Sequence, residues 1–128
     1  MQGTGLIATA QVESAKLNAN LCFWDILLPT STSLIASLEI KENYGRILSM
    51  VYSPSYSKII IGTSHGICCV VDTKQFQIIS VIDCFTEKNR EMVESMAIDD
   101  QQLYFVTGSS NGNLKVWDIQ TSKLLCEK

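Results

Sequence analysis

Two Gly-x-Ser-x-Gly segments are the most reactive-looking residues in this 128-residue chain. They are Gly62-Thr63-Ser64-His65-Gly66 and Gly108-Ser109-Ser110-Asn111-Gly112. In a serine hydrolase this spacing lifts a nucleophile onto a sharp strand-to-helix turn, with an acid and a histidine later in the chain. The chemistry would be acyl transfer through Ser64 or Ser110. The context opposes it. Each segment is followed by a strand-like apolar run, and the only histidine, His65, adjoins Ser64 and precedes the second copy. Serine in a turn is the simpler reading of both, so no catalytic residue is expected.

Other reactive side chains are as poorly placed for chemistry. The five cysteines are Cys22, Cys68, Cys69, Cys84 and Cys126. Their number is odd and no Cys-x-x-Cys occurs, so neither a disulfide framework nor a zinc site is signalled. Most lie in apolar runs, where a free thiol packs as a small hydrophobe, and a reducing compartment suits them. Cys68 and Cys69 are adjacent in a strand, which points them to opposite faces. Asp99-Asp100 lacks a third ligand at a useful spacing and reads as a solvated turn. No metal and no cofactor is expected.

The elements that position these residues repeat. Subtracting 46 maps Gly108 onto Gly62, Gly112 onto Gly66, Val116 onto Val70 and Asp118 onto Asp72. A weaker copy ends at Trp24-Asp25, 47 residues before Val71-Asp72 and in the same form as Trp117-Asp118. Short Val-, Ile-, Leu-, Phe- and Tyr-rich runs lie between Gly, Ser, Asn and Pro, an all-β pattern. Strands are predicted at 6–10, 21–25, 33–40, 47–52, 58–62, 67–72, 78–84, 93–98, 103–108, 113–118 and 123–127. Only 87–96 could take a helical turn. His65-Gly66 and Asn111-Gly112 are read as two-residue hairpin turns with positive φ.

A period in the mid-40s is that of a four-stranded propeller blade. The expected fold is an all-β WD40-type propeller segment of about two and a half antiparallel blades. The grouping read from the repeat is a half blade at 5–25, blades at 33–72 and 77–118, and the first strand of a further blade at 123–128. Closed propellers need at least four blades. The missing ones are therefore expected from a longer parent chain or from a partner.

Trp24, Asp25, Gly62, Gly66, Asp72, Thr107, Gly108, Gly112, Trp117 and Asp118 are structural repeat positions on this reading. In WD repeats the Trp anchors a hydrogen-bond network, and Thr107 is the candidate hydroxyl for Trp117. Val71 stands where the second Trp would be, and His65 and Asn111 where a turn Asp would be. These blades should lean on apolar packing instead.

Charge excludes some functions. The net charge is −3, and no Lys/Arg cluster forms a nucleic-acid footprint. No run reaches the ~20 apolar residues of a membrane span, so no direct membrane insertion is expected. The mixed charged stretch 87–91 and the long hairpin loop 11–19 are solvated connections or recognition loops on a rigid scaffold.

A longer match is more specific. Gly5-Leu6-Ile7-Ala8-Thr9-Ala10, Asn20-Leu21-Cys22-Phe23-Trp24-Asp25 and Ser33-Leu34-Ile35 resemble the C-terminal WD-repeat cluster of the rabconnectin (DmX-like) proteins. So do Tyr104-Phe105-Val106-Thr107-Gly108-Ser109 and Gly112-Asn113-Leu114-Lys115-Val116-Trp117. The resemblance implies a non-catalytic scaffold that regulates V-type proton ATPase assembly and vesicle acidification. It implies V-type ATPase subunits, assembly factors or Rab GTPase regulators as partners. It also implies a cytoplasmic location, held peripherally on vesicle or endosomal membranes through them. The alternative is a WD-repeat subunit of another assembly, such as a ubiquitin-ligase substrate receptor or a ribosome-assembly factor. The loops 11–19, 41–46 and 86–91 are the expected binding surface, because alternate strand connections emerge on one propeller face.

Overall fold

A computed structural model describes residues 6–12, 19–25, 27–85 and 91–128. Eleven strands lie among them: β1 (Leu6–Val12), β2 (Ala19–Asp25), β3 (Leu34–Ile40), β4 (Ile47–Ser53), β5 (Lys58–Thr63), β6 (Ile67–Asp72), β7 (Gln77–Asp83), β8 (Val93–Ile98), β9 (Tyr104–Ser109), β10 (Leu114–Asp118) and β11 (Leu124–Glu127). Two 3-10 turns, Thr30–Thr32 and Glu42–Tyr44, interrupt the connections. No α-helix occurs among the described residues. Val93–Ile98 is a strand, so the helical turn allowed for 87–96 does not extend through its C-terminal half. Residues 86–90 lie outside the described residues.

Every ladder is antiparallel, and the strands form three sheets. The first runs β1-β2-β3, the second β4-β5-β6-β7, the third β8-β9-β10-β11. The blade boundaries expected at 5–25, 33–72, 77–118 and 123–128 are therefore shifted by one strand. β3 pairs with β2, β7 with β6 and β11 with β10. A repeat is cyclic, so its period sets the spacing of strands and leaves the phase open.

Turn chemistry sets the phase. The Asp that ends β2, β6 or β10 accepts a backbone N–H from the turn beyond it. The bonds are Leu27 to Asp25 at 3.0 Å, Lys74 to Asp72 at 2.8 Å and Thr121 to Asp118 at 2.8 Å. Such Asx turns fold the next strand back onto the same sheet. β4, reached through 41–46, and β8 then open the next sheets.

The second sheet is buried on both faces, as its continuous apolar runs in β5 and β6 require. Ile59, Ile61, Cys69 and Val71 pack on Leu21, Phe23 and Ile40 of the first sheet. Ile60, Cys68 and Val70 pack on Val93, Phe105 and Trp117 of the third, with Ile119 just beyond β10. Period-2 alternation puts neighbouring residues on opposite faces. Cys68 and Cys69 thus face different sheets, as their adjacency predicted. The stack is directional: the same side of each sheet meets the opposite side of the next.

Candidate interaction surface

Antiparallel alternation sends every second connection to one rim. In the first sheet Val12, Ala19 and Ile40 are in register at that end. The 41–46 connection follows there, and 64–66, 110–113 and the described residues 84–85 and 91–92 lie at the corresponding ends of the later strands. Most of the binding loops expected at 11–19 and 86–91 fall outside the described residues, at 13–18 and 86–90.

The two serines of the Gly-x-Ser-x-Gly segments stitch this rim. Ser64 Oγ accepts from Arg46 N at 2.9 Å, and Ser64 N donates to Arg46 O at 2.8 Å. Ser110 repeats both bonds with Met92, at 3.2 and 3.0 Å. Arg46 and Met92 are 46 apart, like the serines. His65 Nδ1 lies 3.1 Å from Asn43 O, so the histidine is engaged away from Ser64 Oγ. Both hydroxyls therefore hold turns.

The hairpins differ in detail from the two-residue form. Gly66 has φ +78° and Gly112 has φ +85°, while neither His65 nor Asn111 is left-handed. The bonds Gly66 N to Thr63 O at 3.3 Å and Gly112 N to Ser109 O at 3.1 Å close four-residue turns, with glycine last. A hydroxyl on the first residue of each turn explains the preference. Thr63 Oγ1 accepts from His65 N and Ile67 N at 3.3 and 3.2 Å. Ser109 Oγ accepts from Asn111 N and Asn113 N at 3.2 and 3.1 Å. Glu91 completes the second turn, taking bonds from Ser109 Oγ at 2.9 Å and Asn113 Nδ2 at 2.8 Å.

The remaining repeat positions hold the interior and the far rim. Trp117 is 5 % exposed, donates from Nε1 to Thr107 Oγ1 at 3.0 Å, and stacks on Phe105. Half-buried Trp24 makes the same bond to Thr9 at 2.8 Å. Thr9 escaped the sequence reading because the longer first hairpin puts it 15 residues from its Trp instead of 10. Gly62 and Gly108 pair with Ser49 and Ser95, leaving room for those side chains. Bonds from Thr121 lower the pKa of the Asp118 carboxylate. Asp99 accepts from the backbone of Gln101, Leu103 and Tyr104, which uses its carboxylate as a turn cap.

Sequence reasoning also missed the inter-sheet polar links and one thiol pair. Gln102 Oε1 accepts from Ser53 Oγ at 2.8 Å and Ser55 N at 2.9 Å. Lys58 Nζ donates to Ile119 O at 3.2 Å. Cys68 and Cys84 are buried free thiols, and Cys84 Sγ donates a hydrogen bond to Cys68 Sγ at 2.9 Å. The bond to Cys84, then burial, raise the Cys68 thiol pKa well above its ordinary value. Burial pushes Cys69 to about 11.

No family model matches the chain. It is 32 % identical over 125 residues to DmX-like protein 1 of Mus musculus and 31 % identical to that of Homo sapiens. These matches cover 98 % of the chain but only 4 % of either relative's length. Among solved structures, the WD40 protein Sqt1 of Saccharomyces cerevisiae superposes with a TM-score of 0.75 at 14 % identity. That match covers 96 % of this chain and 30 % of Sqt1. No helix among the described residues is long and apolar enough to cross a membrane. By fold and by likeness along nearly all its length, the chain is a WD-repeat propeller segment that resembles the DmX-like (rabconnectin) family.

Proposed function

We propose that this chain acts as a non-catalytic protein-interaction scaffold within a DmX-like regulator of V-type proton ATPase assembly and vesicle acidification. The observation that carries the reading is the likeness to DmX-like protein 1 over 98 % of the chain. The polar geometry supports a scaffold role. Ser64, Ser110 and Asp99 all direct their side chains to backbone groups. What the rim offers instead is a row of connections on a rigid β stack, the usual place for recognition.

On this reading the partners are V-type ATPase subunits, assembly factors or Rab GTPase regulators, met by loops 11–19, 41–46 and 86–91. The protein is cytoplasmic and reaches vesicle or endosomal membranes through them. The test is affinity capture with the full-length parent protein, with and without those three loops. Recovery of ATPase subunits by the intact protein and their loss from the loop-deleted form is the expected result. Recovery in neither form defeats the assignment to ATPase regulation. Equal recovery in both defeats the choice of rim.

A further inference from the structure

Cys68 lies in β6 and pairs with Ile82 of β7. Cys84 stands two residues beyond Ile82, just past the end of β7 and on the same face as its sulfur partner. This diagonal relation brings the two sulfurs to 2.9 Å, with both residues fully buried. A disulfide needs about 2.05 Å, so each sulfur has only about 0.4 Å to travel. Packing alone does not call for thiols here. The equivalent place in the first sheet is filled by Leu21, which pairs with Leu38, and by Ile40 two residues on. Both are buried in the other core.

The backbone around the sulfurs is fixed from two sheets. Cys84 N and Phe85 N both donate to Gly66 O, at 2.9 and 3.0 Å. Lys115 Nζ, from the third sheet, donates to Cys84 O at 2.6 Å. The same end of β7 adjoins solvent. Phe85, the next residue, lines an open cleft with Glu91, Asn113 and Lys115. A small opening there admits a reagent of two oxygen atoms to Cys84. Cys68 sits within β6, and the bond from Cys84 together with burial keeps it a protonated thiol. Cys84 is therefore the thiol attacked first and Cys68 the one that resolves.

We propose that Cys68 and Cys84 are a reversible redox pair, closed to a disulfide by hydrogen peroxide and reopened by a dithiol. Cys84 loses its proton to solvent and its sulfur attacks one peroxide oxygen. The O–O bond breaks, leaving a sulfenic acid and a hydroxide that takes up the proton. Cys68 sulfur then attacks Cys84 sulfur, the S–O bond breaks, and the hydroxyl leaves with the Cys68 proton as water. Two thiols and one peroxide give one disulfide and two waters. A dithiol reverses the step by exchange and is itself oxidised to a disulfide. The new bond joins β6 to the residue that leaves the second sheet, beside its contact with the third. It spans 16 residues of chain, so it restricts the unfolded state and stiffens that junction.

The test treats the chain, carrying Cys126→Ser to remove the exposed thiol, with hydrogen peroxide. Free thiols are then blocked and the protein is digested with trypsin. Peptides 59–74 and 75–88 should appear as one linked species, lacking two hydrogens and separated by dithiothreitol. Fragmentation should place the link at Cys68. Cys69→Ser should leave it intact, and Cys84→Ser should abolish it. The thermal midpoint should rise by about 5 °C or more on linkage and fall back on reduction. Sulfinic or sulfonic acid without a link overturns the proposal, as does a link through Cys69 or Cys22. Linkage without a rise in midpoint also overturns it, because the bond then forms only in an opened chain. The mapping on the chain with native Cys68 and Cys84 decides the matter even if the other variants fail to fold.

Discussion

Trp117 Nε1 lies 3.0 Å from Thr107 Oγ1 and donates to it from within the core between the second and third sheets. The bond joins β9 to β10 on the face that packs against Ile60 and Val70. Burial of a large ring with its one polar atom partnered is what lets a tryptophan anchor a core.

Trp117→Ala should cost about 3–5 kcal/mol, the range for large-to-small core changes. Thr107→Val should cost about 1–3 kcal/mol by leaving the buried indole N–H unpaired. Trp117→Phe combined with Thr107→Val should cost less than the sum of the two singles, because both singles break one bond. Urea unfolding of the four proteins measures the cycle. Strict additivity would contradict a shared bond.

The two turn glycines should respond differently to alanine. Gly112 is left-handed with open space around it, so Gly112→Ala should cost about 1–2 kcal/mol from backbone strain alone. Gly66 is also left-handed, but a Cβ there would meet Glu91 O at 2.7 Å and Phe85 O at 3.0 Å. Gly66→Ala should therefore add an overpacking cost of about 1–3 kcal/mol. Denaturation midpoints should fall further for Gly66→Ala, and the reverse order would refute the interlocked rim.

Ser64 and Ser110 should resist active-site-directed phosphonates. Each should instead show a stability role, with Ser64→Ala and Ser110→Ala costing about 0.5–1.5 kcal/mol through the lost bonds to Arg46 and Met92. Mass spectrometry for a serine adduct and thermal unfolding test the two halves. A phosphonate adduct on either serine would return the hydrolase reading.

The thiols predict a pH dependence. The folded pKa of Cys69 is raised to about 11 by burial, from an ordinary value of 9.0, and that of Cys68 is also raised. The folded state then holds protons that the unfolded state releases. Stability from these groups is fully present below about pH 9 and falls as pH rises toward the folded values. Exposed Cys126 should react with a thiol reagent at neutral pH well before Cys68 or Cys69. Equal reaction rates at all three would contradict the burial.

Much of the architecture is legible in the residues. Period-2 alternation, turn residues and a 46-residue repeat are local properties, so they identify eleven strands without tertiary information. The Trp117–Thr107 pair is also readable, because its hairpin is short and its spacing is that of the repeat. Trp24 and Thr9 form the same pair across a longer hairpin, and a fixed spacing misses it.

Sequence alone determined the all-β pattern, the eleven strands among the described residues and the opposite facing of Cys68 and Cys69. Tertiary structure decided the phase of the sheets. A cyclic repeat reads the same from any starting strand, whereas hydrogen bonding pairs β3 with β2 and leaves β4 to open a new sheet. It also decided what Ser64 and Ser110 do, because their partners Arg46 and Met92 lie 18 residues away and are brought close only by folding. Whether a strand has one neighbour or two depends on through-space pairing, which no local run of residues encodes.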